Sequence, residues 1–295
     1  MQTKGFSTED IMRIALDLID EKDIPQDSGI HVRGEGIRRL LFTMDANVGL
    51  IHMASDLEFD CVLCHHPCGA LINQGEVYRR HLDILELHGI SRQRALETIG
   101  DTLDRAVGAM KNRRMRMLYR ESPNQTVLEV DAARLMGIPF LNIHNSFDEA
   151  GRRILQKKMD EALEEDPDIR LKDILEIITA LPETPPAVRQ NGFAPSIFMG
   201  DPESPAGKAA FVHGALSAPH PEIVQAYWKN GIKTVVVLHG SFTDLERLRN
   251  DGSGNLILTG HFLGDSIGMT PFINALRDKG MEVVCMGGIV DLGKE

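Results

Sequence analysis

The chain alternates short apolar, β-branched runs with longer stretches in which apolar residues recur at helical spacing. This alternation predicts an α/β fold in which strands and helices are interleaved. Helical spacing is clearest in EVYRRHLDILELHG and SRQRALETIGDTLDRAVGAM. The predicted strands are IRRLLFTMD, DCVLCHH, IPFLNIH, KAAFVHGAL, KTVVVLHG, NLILTG and MEVVCMGG.

Several predicted strands end in a polar or ionisable residue. Five of the eleven histidines fall at or just after strand ends, namely His65, His66, His144, His239 and His261. Open α/β sheets bind ligands outside the carboxyl ends of their strands. A half-buried structural histidine explains any one of these positions but explains five poorly, so the pattern predicts a site at the strand ends.

The composition changes between Pro182 and Gly207, where proline, glycine and small polar residues dominate. Proline lacks the amide donor and biases its neighbour toward extended backbone, so regular structure is expected to lapse there. We therefore predict an N-terminal α/β lobe over 1–181, a join over 182–207 and a C-terminal α/β lobe over 208–295.

Composition and charge exclude several classes of protein. The 295 residues are 42% hydrophobic, with no apolar run approaching the ~18 residues of a membrane span. A net charge of −11 disfavours binding to a nucleic-acid duplex, and the basic cluster at 111–116 is interpreted as a solvated helix end. The first 22 residues predict an amphipathic helix instead of a secretion signal, so a cytoplasmic location is expected.

Three of the four cysteines lie in the segment CVLCHHPCGA, residues 61–70. The C-x-x-C spacing of Cys61 and Cys64 suggests a zinc site or a redox dithiol. A structural zinc site usually needs a second close pair, and only Cys285 remains. Residues three apart on a strand also face opposite sides of the sheet. Cys61 is therefore predicted to be core, while Cys64 and Cys68 lie near the site without an assigned role.

The adjacent pair His65 and His66 precedes Pro67 at a predicted strand end. Their side chains are expected to diverge, so two neighbouring metal ions could each take one imidazole. Two exposed turn histidines are the alternative, and spacing alone does not separate the two interpretations.

Two acidic residues complete the candidate site. Asp148 follows a strand, but Ser146 and Glu149 form an S-x-x-E pattern, and spacing alone favours helix capping. His261 and Asp265 are four apart, which on a helix places both on one face.

Glycine and proline complicate that second pair. Gly264 and Gly268 weaken the helical interpretation of this stretch. The alternative is a helix that begins at Pro271, with Thr270 as its cap.

The segments HHPCGA, NIHNSFDEA and TGHFLGDSIG, in this order, resemble the Nif three-like family, also known as GTP cyclohydrolase 1 type 2 homologues. The resemblance extends over roughly residues 40–288. The residues that match the family's motifs are His65, His66, Pro67, His144, Asp148, Gly260, His261, Phe262 and Asp265.

The resemblance implies two α/β lobes that form one composite unit around a dinuclear metal centre. The implied ligands are His65, His66, Asp148, His261 and Asp265. His144 would lie beside the centre as the candidate catalytic proton shuttle.

The chain departs from the family in three places. The family usually has glutamate where this chain has Asp265, and an apolar residue where it has Cys68. Residues 166–206 match nothing. His239 is a rival anchor for the C-terminal motif, but Thr243 occupies the fourth position after it, so His261 is preferred.

These residues lead to two functional hypotheses. The first is a hydrolase that acts on a small nucleotide-like, heterocyclic or phosphorylated substrate with the help of two divalent ions per chain. The residues do not distinguish zinc, manganese, iron and nickel. The second is a non-catalytic metal-binding scaffold, chaperone or interaction protein. The resemblance also implies a homo-oligomer such as a hexameric ring, and no nucleic-acid duplex or membrane is expected as a partner. A cysteine-zinc site would instead predict metal loss when Cys61 and Cys64 are replaced.

Overall fold

The computed structural model describes residues 5–69, 73–116, 127–216 and 219–293. These residues belong to two compact units, each assembled from separate stretches of the chain. Unit 1 takes its residues from 1–74, 109–147 and 269–295, and unit 2 from 75–108 and 148–268. The division differs from the predicted lobes, because a strand near the C-terminus pairs with a strand in the first fifty residues.

Unit 1 is built on a five-stranded sheet in the order β1-β4-β3-β2-β9. Strands β2, β3, β4 and β9 run parallel, and β1 joins the edge antiparallel to β4. The carboxyl ends of the parallel strands therefore lie along one edge of the sheet. The bounds are β1 Gly29–Val32, β2 Arg39–Thr43, β3 Cys61–Cys64, β4 Phe140–Asn142 and β9 Glu282–Met286.

Burial explains why the central strands of unit 1 form where the apolar runs predict. Every residue of β3 and β4 is buried, as expected for parallel strands covered on both faces. Val62 and Cys64 point into a cluster with Ile51, Ala133 and Phe140. This alternation leaves the next residue along the chain, His65, to face the other side.

Unit 2 contains a four-stranded sheet in the order β5-β8-β7-β6. Strands β6, β7 and β8 are parallel and correspond to predicted apolar runs, while β5 is antiparallel to β8 at the edge. The bounds are β5 Ser196–Met199, β6 Ala209–Phe211, β7 Thr234–Val237 and β8 Asn255–Leu258.

Helices follow most strands, as the alternating pattern predicts. The predicted N-terminal helix is present and begins with a capping box between Ser7 and Asp10. In the residues that the structure describes, no helix combines the length and hydrophobicity of a membrane span. The helices are α1 Thr8–Asp17, α2 Val48–Asp56, α3 Gln74–Val77, α4 His81–Leu87, α5 Arg92–Arg116, α6 Leu128–Met136, α7 Asn145–Glu165, α8 Leu171–Thr179, α9 Thr184–Asn191, α10 Pro221–Lys229, α11 Phe242–Asp251 and α12 His261–Asp278.

The proline-rich segment is structured, contrary to the prediction for 182–207. Helix α9 and strand β5 both lie within it. Pro185 and Pro186 occupy the first turn of α9, where a helix has no intrahelical partner for the missing N–H. The prolines therefore begin a helix here instead of ending regular structure.

Candidate metal site

Three histidine rings lie together at the carboxyl edge of the unit 1 sheet. His65 and His66 follow β3, and His144 follows β4 two residues after its last strand residue. The ring centroids of His65 and His144 are 4.6 Å apart and nearly stacked. His66 lies 5.2 Å from His65 and 6.1 Å from His144. His65 is fully buried, which excludes the interpretation of both adjacent histidines as exposed turn residues.

Each of these rings is oriented by an oxygen at its Nδ1 atom. His65 Nδ1 lies 3.1 Å from the carbonyl oxygen of Ile143. His66 Nδ1 lies 2.7 Å from an Asp45 carboxylate oxygen. His144 Nδ1 lies 2.7 Å from a carboxylate oxygen of the fully buried Asp27.

These contacts assign the ring hydrogen. A carbonyl or carboxylate oxygen accepts, so each Nδ1 donates and the neutral ring keeps its lone pair on Nε2. Metal-binding histidines usually donate their other ring N–H to a carboxylate or backbone carbonyl in this manner. The donor set of unit 1 therefore fits a divalent metal.

Asp27 is a residue of the candidate site that the sequence analysis missed. It precedes β1, a short irregular edge strand, and no apolar run marks that region. Its backbone carbonyl also accepts a hydrogen bond of 2.8 Å from the Asn142 side chain, and Ser28 Oγ bonds the amide of His144 at 2.9 Å. Asp27 therefore holds the His144 ring, and Ser28 holds its backbone amide.

Asp148 lies in the first turn of α7 and is 2% exposed. The predicted capping box is wrong, because α7 begins at Asn145 and Ser146 lies inside the helix. Glu149 bonds Arg152 and Arg153 at 2.6 to 2.9 Å. Burial alone raises the pKa of Glu149, but these arginines hold it below its usual value.

Asp148 is placed one helical turn after His144. Within unit 1, ligand atoms of His65 and His144 lie within 4.8 Å of each other. Imidazoles at that separation can share a divalent ion. The structure thus brings one predicted metal ligand, His65, together with the residue predicted as a proton shuttle.

In unit 2, His261 and Asp265 lie on one face of α12. The Nε2 atom of His261 is 3.1 Å from an Asp265 carboxylate oxygen, and Asp265 is 2% exposed. The prediction that a helix could begin at Pro271 is wrong, because α12 runs unbroken from His261 through that proline. The spacing of four therefore has the helical geometry that favours joint presentation of two ligands.

The glycines of α12 allow close packing instead of ending the helix. A Cβ atom on Gly151 of α7 would lie 3.2 Å from the Gly264 carbonyl oxygen and 3.2 Å from the Gly268 nitrogen. A Cβ atom on Gly264 would lie 1.9 Å from Leu238 Cδ2. Helices α7 and α12 thus meet backbone to backbone between the turns that carry Asp148 and Asp265.

Two further histidines surround this part of unit 2. The ring of His239 is 4.8 Å from that of His261. His213 follows β6 and is fully buried, and neither of its ring nitrogens bonds another residue that the structure describes. Burial lowers the pKa of His213 to about 4. The nearby Asp265 acts to raise this pKa, and His239 lowers it further. The sequence analysis missed His213, although the strand-end criterion that selected the other histidines also fits it.

A pocket of about 290 Å³ opens beside His261, lined by Asn191, Phe193, Gly260 and Phe262 as well. Its lining is mostly aromatic and apolar. A larger pocket of about 700 Å³ elsewhere in unit 2 has none of the predicted site residues in its lining. The smaller pocket therefore lies beside a residue of the candidate site.

The cysteines are free thiols in the described residues. Cys61 is fully buried in the core, as predicted, and burial raises its pKa. No cysteine belongs to a described cluster of three or more potential metal ligands. A hydrogen bond from Cys64 lowers the pKa of Cys68 to about 6, with His31 contributing in the same direction and burial opposing it.

Comparison with known proteins identifies the family. No protein-family model and no curated protein matches the sequence. The crystal structure of a NIF3 superfamily protein from Sphaerobacter thermophilus is 32% identical, with a TM-score of 0.85, over 97% of this chain and 100% of that one. The chain belongs to the NIF3 superfamily.

Two more distant structures share the NIF3 fold. Reduced HcgD from Methanocaldococcus jannaschii is 12% identical with a TM-score of 0.56, over 95% of this chain and 98% of that one. TTHA1606 from Thermus thermophilus is 12% identical with a TM-score of 0.52, over 97% of this chain and 98% of that one. The 32% identical structure from Sphaerobacter thermophilus confirms the family suggested by the three histidine motifs.

Proposed function

We propose that this protein is a dinuclear metal-dependent hydrolase of a small nucleotide-like, heterocyclic or phosphorylated molecule. The observation that carries the proposal is the shared orientation of three imidazoles, each with an oxygen at Nδ1 and its lone pair on Nε2. The proposed ligands are His65, His66, Asp148, His261 and Asp265.

This donor set suits divalent ions. Imidazole nitrogen and carboxylate oxygen together bind zinc, manganese, iron and nickel. Two such ions, when bound, supply a water nucleophile that is active at neutral pH and stabilise the negative charge that develops on the substrate. The chain's own contribution is to orient the ligands through Asp45, Asp27 and the Ile143 carbonyl.

His144 is the proposed proton shuttle. Asp27 holds its Nδ1–H, so Nε2 is the atom that accepts a proton and returns it to the leaving group. A buried carboxylate behind the ring also stabilises the imidazolium that forms after proton uptake. The same geometry suits a metal ligand, because the ring of His144 lies 4.6 Å from that of the proposed ligand His65. A variant of His144 distinguishes the two roles.

The substrate class is proposed from the pocket beside His261. Phe193 and Phe262 present aromatic surface to a volume of about 290 Å³. Planar heterocycles stack on such side chains in offset or edge-on geometry. A nucleobase or a similar ring fits this lining better than an extended acidic chain.

The test begins with metal loading. Protein stripped with a chelator is reloaded separately with zinc, manganese, iron or nickel, and bound ions are counted by elemental analysis. Each form is then assayed against a panel of nucleotides, other heterocycles and phosphoesters. We expect metal-dependent hydrolysis of at least one class. Full loading without turnover of any compound would instead favour the metal-binding scaffold.

The role of His144 is tested by His144→Gln. As a shuttle, the variant keeps its metal ions while kcat falls by roughly 10²- to 10⁴-fold. As a ligand, it loses bound metal. Asp27→Asn is the matched variant, because it removes the charge that orients the ring, and we expect roughly a 10- to 100-fold loss. Unchanged kcat and metal content in both variants would remove His144 from the site.

The remaining expectations for partners and location also stay proposals. We propose a homo-oligomer, with a hexameric ring as the form implied by the family, in the cytoplasm. Light scattering on purified protein measures the number of chains directly, and a monomer at working concentration would contradict the oligomer.

A further inference from the structure

Two thiols face each other in the turn that follows β3. Cys64 is fully buried at the end of the strand, and Cys68 is partly exposed in the turn. Their sulfur atoms are 3.8 Å apart. A disulfide joins sulfurs about 2.05 Å apart, so the two sulfurs must approach each other by about 1.8 Å to close one.

The direction of the hydrogen bonds around Cys68 follows from the side chain of Asn142, at the other end of the network. Asn142 Nδ2 donates to the Asp27 carbonyl oxygen at 2.8 Å, which turns its Oδ1 toward His31. That Oδ1 lies 3.0 Å from His31 Nε2, so Nε2 carries the hydrogen. The same Nε2 lies 3.2 Å from the sulfur of Cys68.

The consequence is that Cys68 sulfur is an acceptor. It shares the His31 N–H with Asn142 Oδ1 and also faces the thiol of Cys64, which can donate to it or to the His66 carbonyl oxygen at 3.5 Å. Cys68 is also the more exposed of the two thiols, so it is the one that a peroxide in solution can reach.

The turn is packed tightly onto His31. Gly69 has φ +80°, and a Cβ atom there would lie 2.8 Å from His31 Cε1. Glycine at this position thus serves both the left-handed backbone and the close contact with the imidazole. The ring of Phe140 also packs beside His31, with centroids 5.3 Å apart. Cys68 is therefore held beside His31 by the fold itself.

We propose that Cys64 and Cys68 form a reversible dithiol that reacts with hydroperoxides, with Cys68 as the attacking residue and Cys64 as the resolving residue. This reactivity is separate from the metal-dependent hydrolysis and does not depend on it. The bond encloses His65 and His66 in a short covalent loop.

The reaction proceeds in two balanced steps. Cys68 sulfur attacks one peroxide oxygen, an S–O bond forms as the O–O bond breaks, and the thiol proton passes to the departing oxygen. Cys64 sulfur then attacks the resulting sulfenic acid, so that an S–S bond forms, the S–O bond breaks and the hydroxyl leaves as water with the Cys64 proton. The two sulfurs lose two electrons to the peroxide, and a thiol reductant returns them.

The test uses the full chain with a chelator present throughout, so that bound metal does not catalyse the oxidation. Protein is treated with equimolar hydrogen peroxide, denatured, alkylated and digested with trypsin. Cleavage after Arg39 and Arg79 leaves one peptide that contains Cys61, Cys64 and Cys68. We expect this peptide to carry three alkyl groups before oxidation and one after it, with dithiothreitol restoring all three.

Variants identify the roles. Cys68→Ser should abolish the change, and Cys64→Ser should leave a sulfenic acid that dimedone captures. Cys285→Ser is the matched control and should behave as the wild type. His31→Phe keeps an aromatic ring beside Phe140 but removes the N–H, and the oxidation rate should fall roughly tenfold.

Three results would overturn the proposal. The first is three alkylated cysteines after peroxide treatment of the wild type, which needs no variant to fold. The second is direct oxidation of Cys68 to sulfinic acid while Cys64 stays alkylatable. The third is an unchanged rate in His31→Phe, which contradicts the role given to the imidazole.

Discussion

Gly264→Ala tests whether the first turn of α12 is positioned by backbone contact. Gly264 precedes Asp265 and lies inside the helix. The added Cβ would lie 1.9 Å from Leu238 Cδ2 and 3.0 Å from Thr259 Oγ1. Leu238 is 1% exposed and Thr259 is fully buried, so neither side chain has open space into which it can move.

The expected magnitude follows from two opposing effects. Alanine is favoured over glycine inside a helix by about 1 kcal/mol. Inserting a methyl group into a filled core costs about 1 to 3 kcal/mol. Gly108→Ala in α5 is the matched control, since a Cβ there meets nothing within 4 Å. The propensity gain cancels between the two variants, and Gly264→Ala should be less stable than Gly108→Ala by about 1 to 3 kcal/mol.

Urea denaturation of both metal-free variants measures this difference. Elemental analysis after reloading should then show that Gly264→Ala binds less metal, because the displaced turn carries His261 and Asp265. Gly108→Ala should bind as much metal as the wild type. Equal stability and equal metal content in the two variants would refute the claim that glycine contacts position this turn.

Two further predictions concern charge in unit 2. Asp265→Asn keeps the shape of the side chain but removes its charge, so elemental analysis should show the loss of at least one metal ion. Asp244→Asn, near the rival His239, should keep its metal. The reverse result would move the ligand pair to the His239 segment. Burial lowers the pKa of His81 to about 3, so unfolding takes up a proton there and stability should fall as the pH drops from about 6.5 toward 3. His81→Gln should reduce that slope by up to about 1.4 kcal/mol per pH unit in urea titrations, and an unchanged slope would contradict the assigned pKa.

The sequence predicts the parts of the fold that burial determines. Continuous apolar runs such as CVLC and TVVV become fully buried central strands, and the histidines at their ends lie where the strand-end rule places them. The edge strands β1 and β5 were not predicted, because each is only partly buried, each pairs antiparallel with an irregular register, and neither forms a long apolar run.

The residues of the candidate site were likewise predicted only in part. His65 and His144 lie together at the carboxyl edge of the unit 1 sheet, where the strand-end rule places them. Asp27 was missed because its role depends on a contact with a residue distant in the sequence. His213 was missed because the predicted strand KAAFVHGAL runs past it, whereas β6 ends at Phe211. The continuity of α12 was also missed, since only the packing against Gly151 and Leu238 shows why its glycines are present.

The central claim is that the adjacent histidines bind metal. Elemental analysis of gently purified wild type and of the His65→Ala, His66→Ala double variant counts the divalent ions per chain and tests this directly. Circular dichroism checks that the double variant is folded. We expect about two ions in the wild type and loss of most bound metal in a folded double variant. Full metal retention in that variant would contradict it.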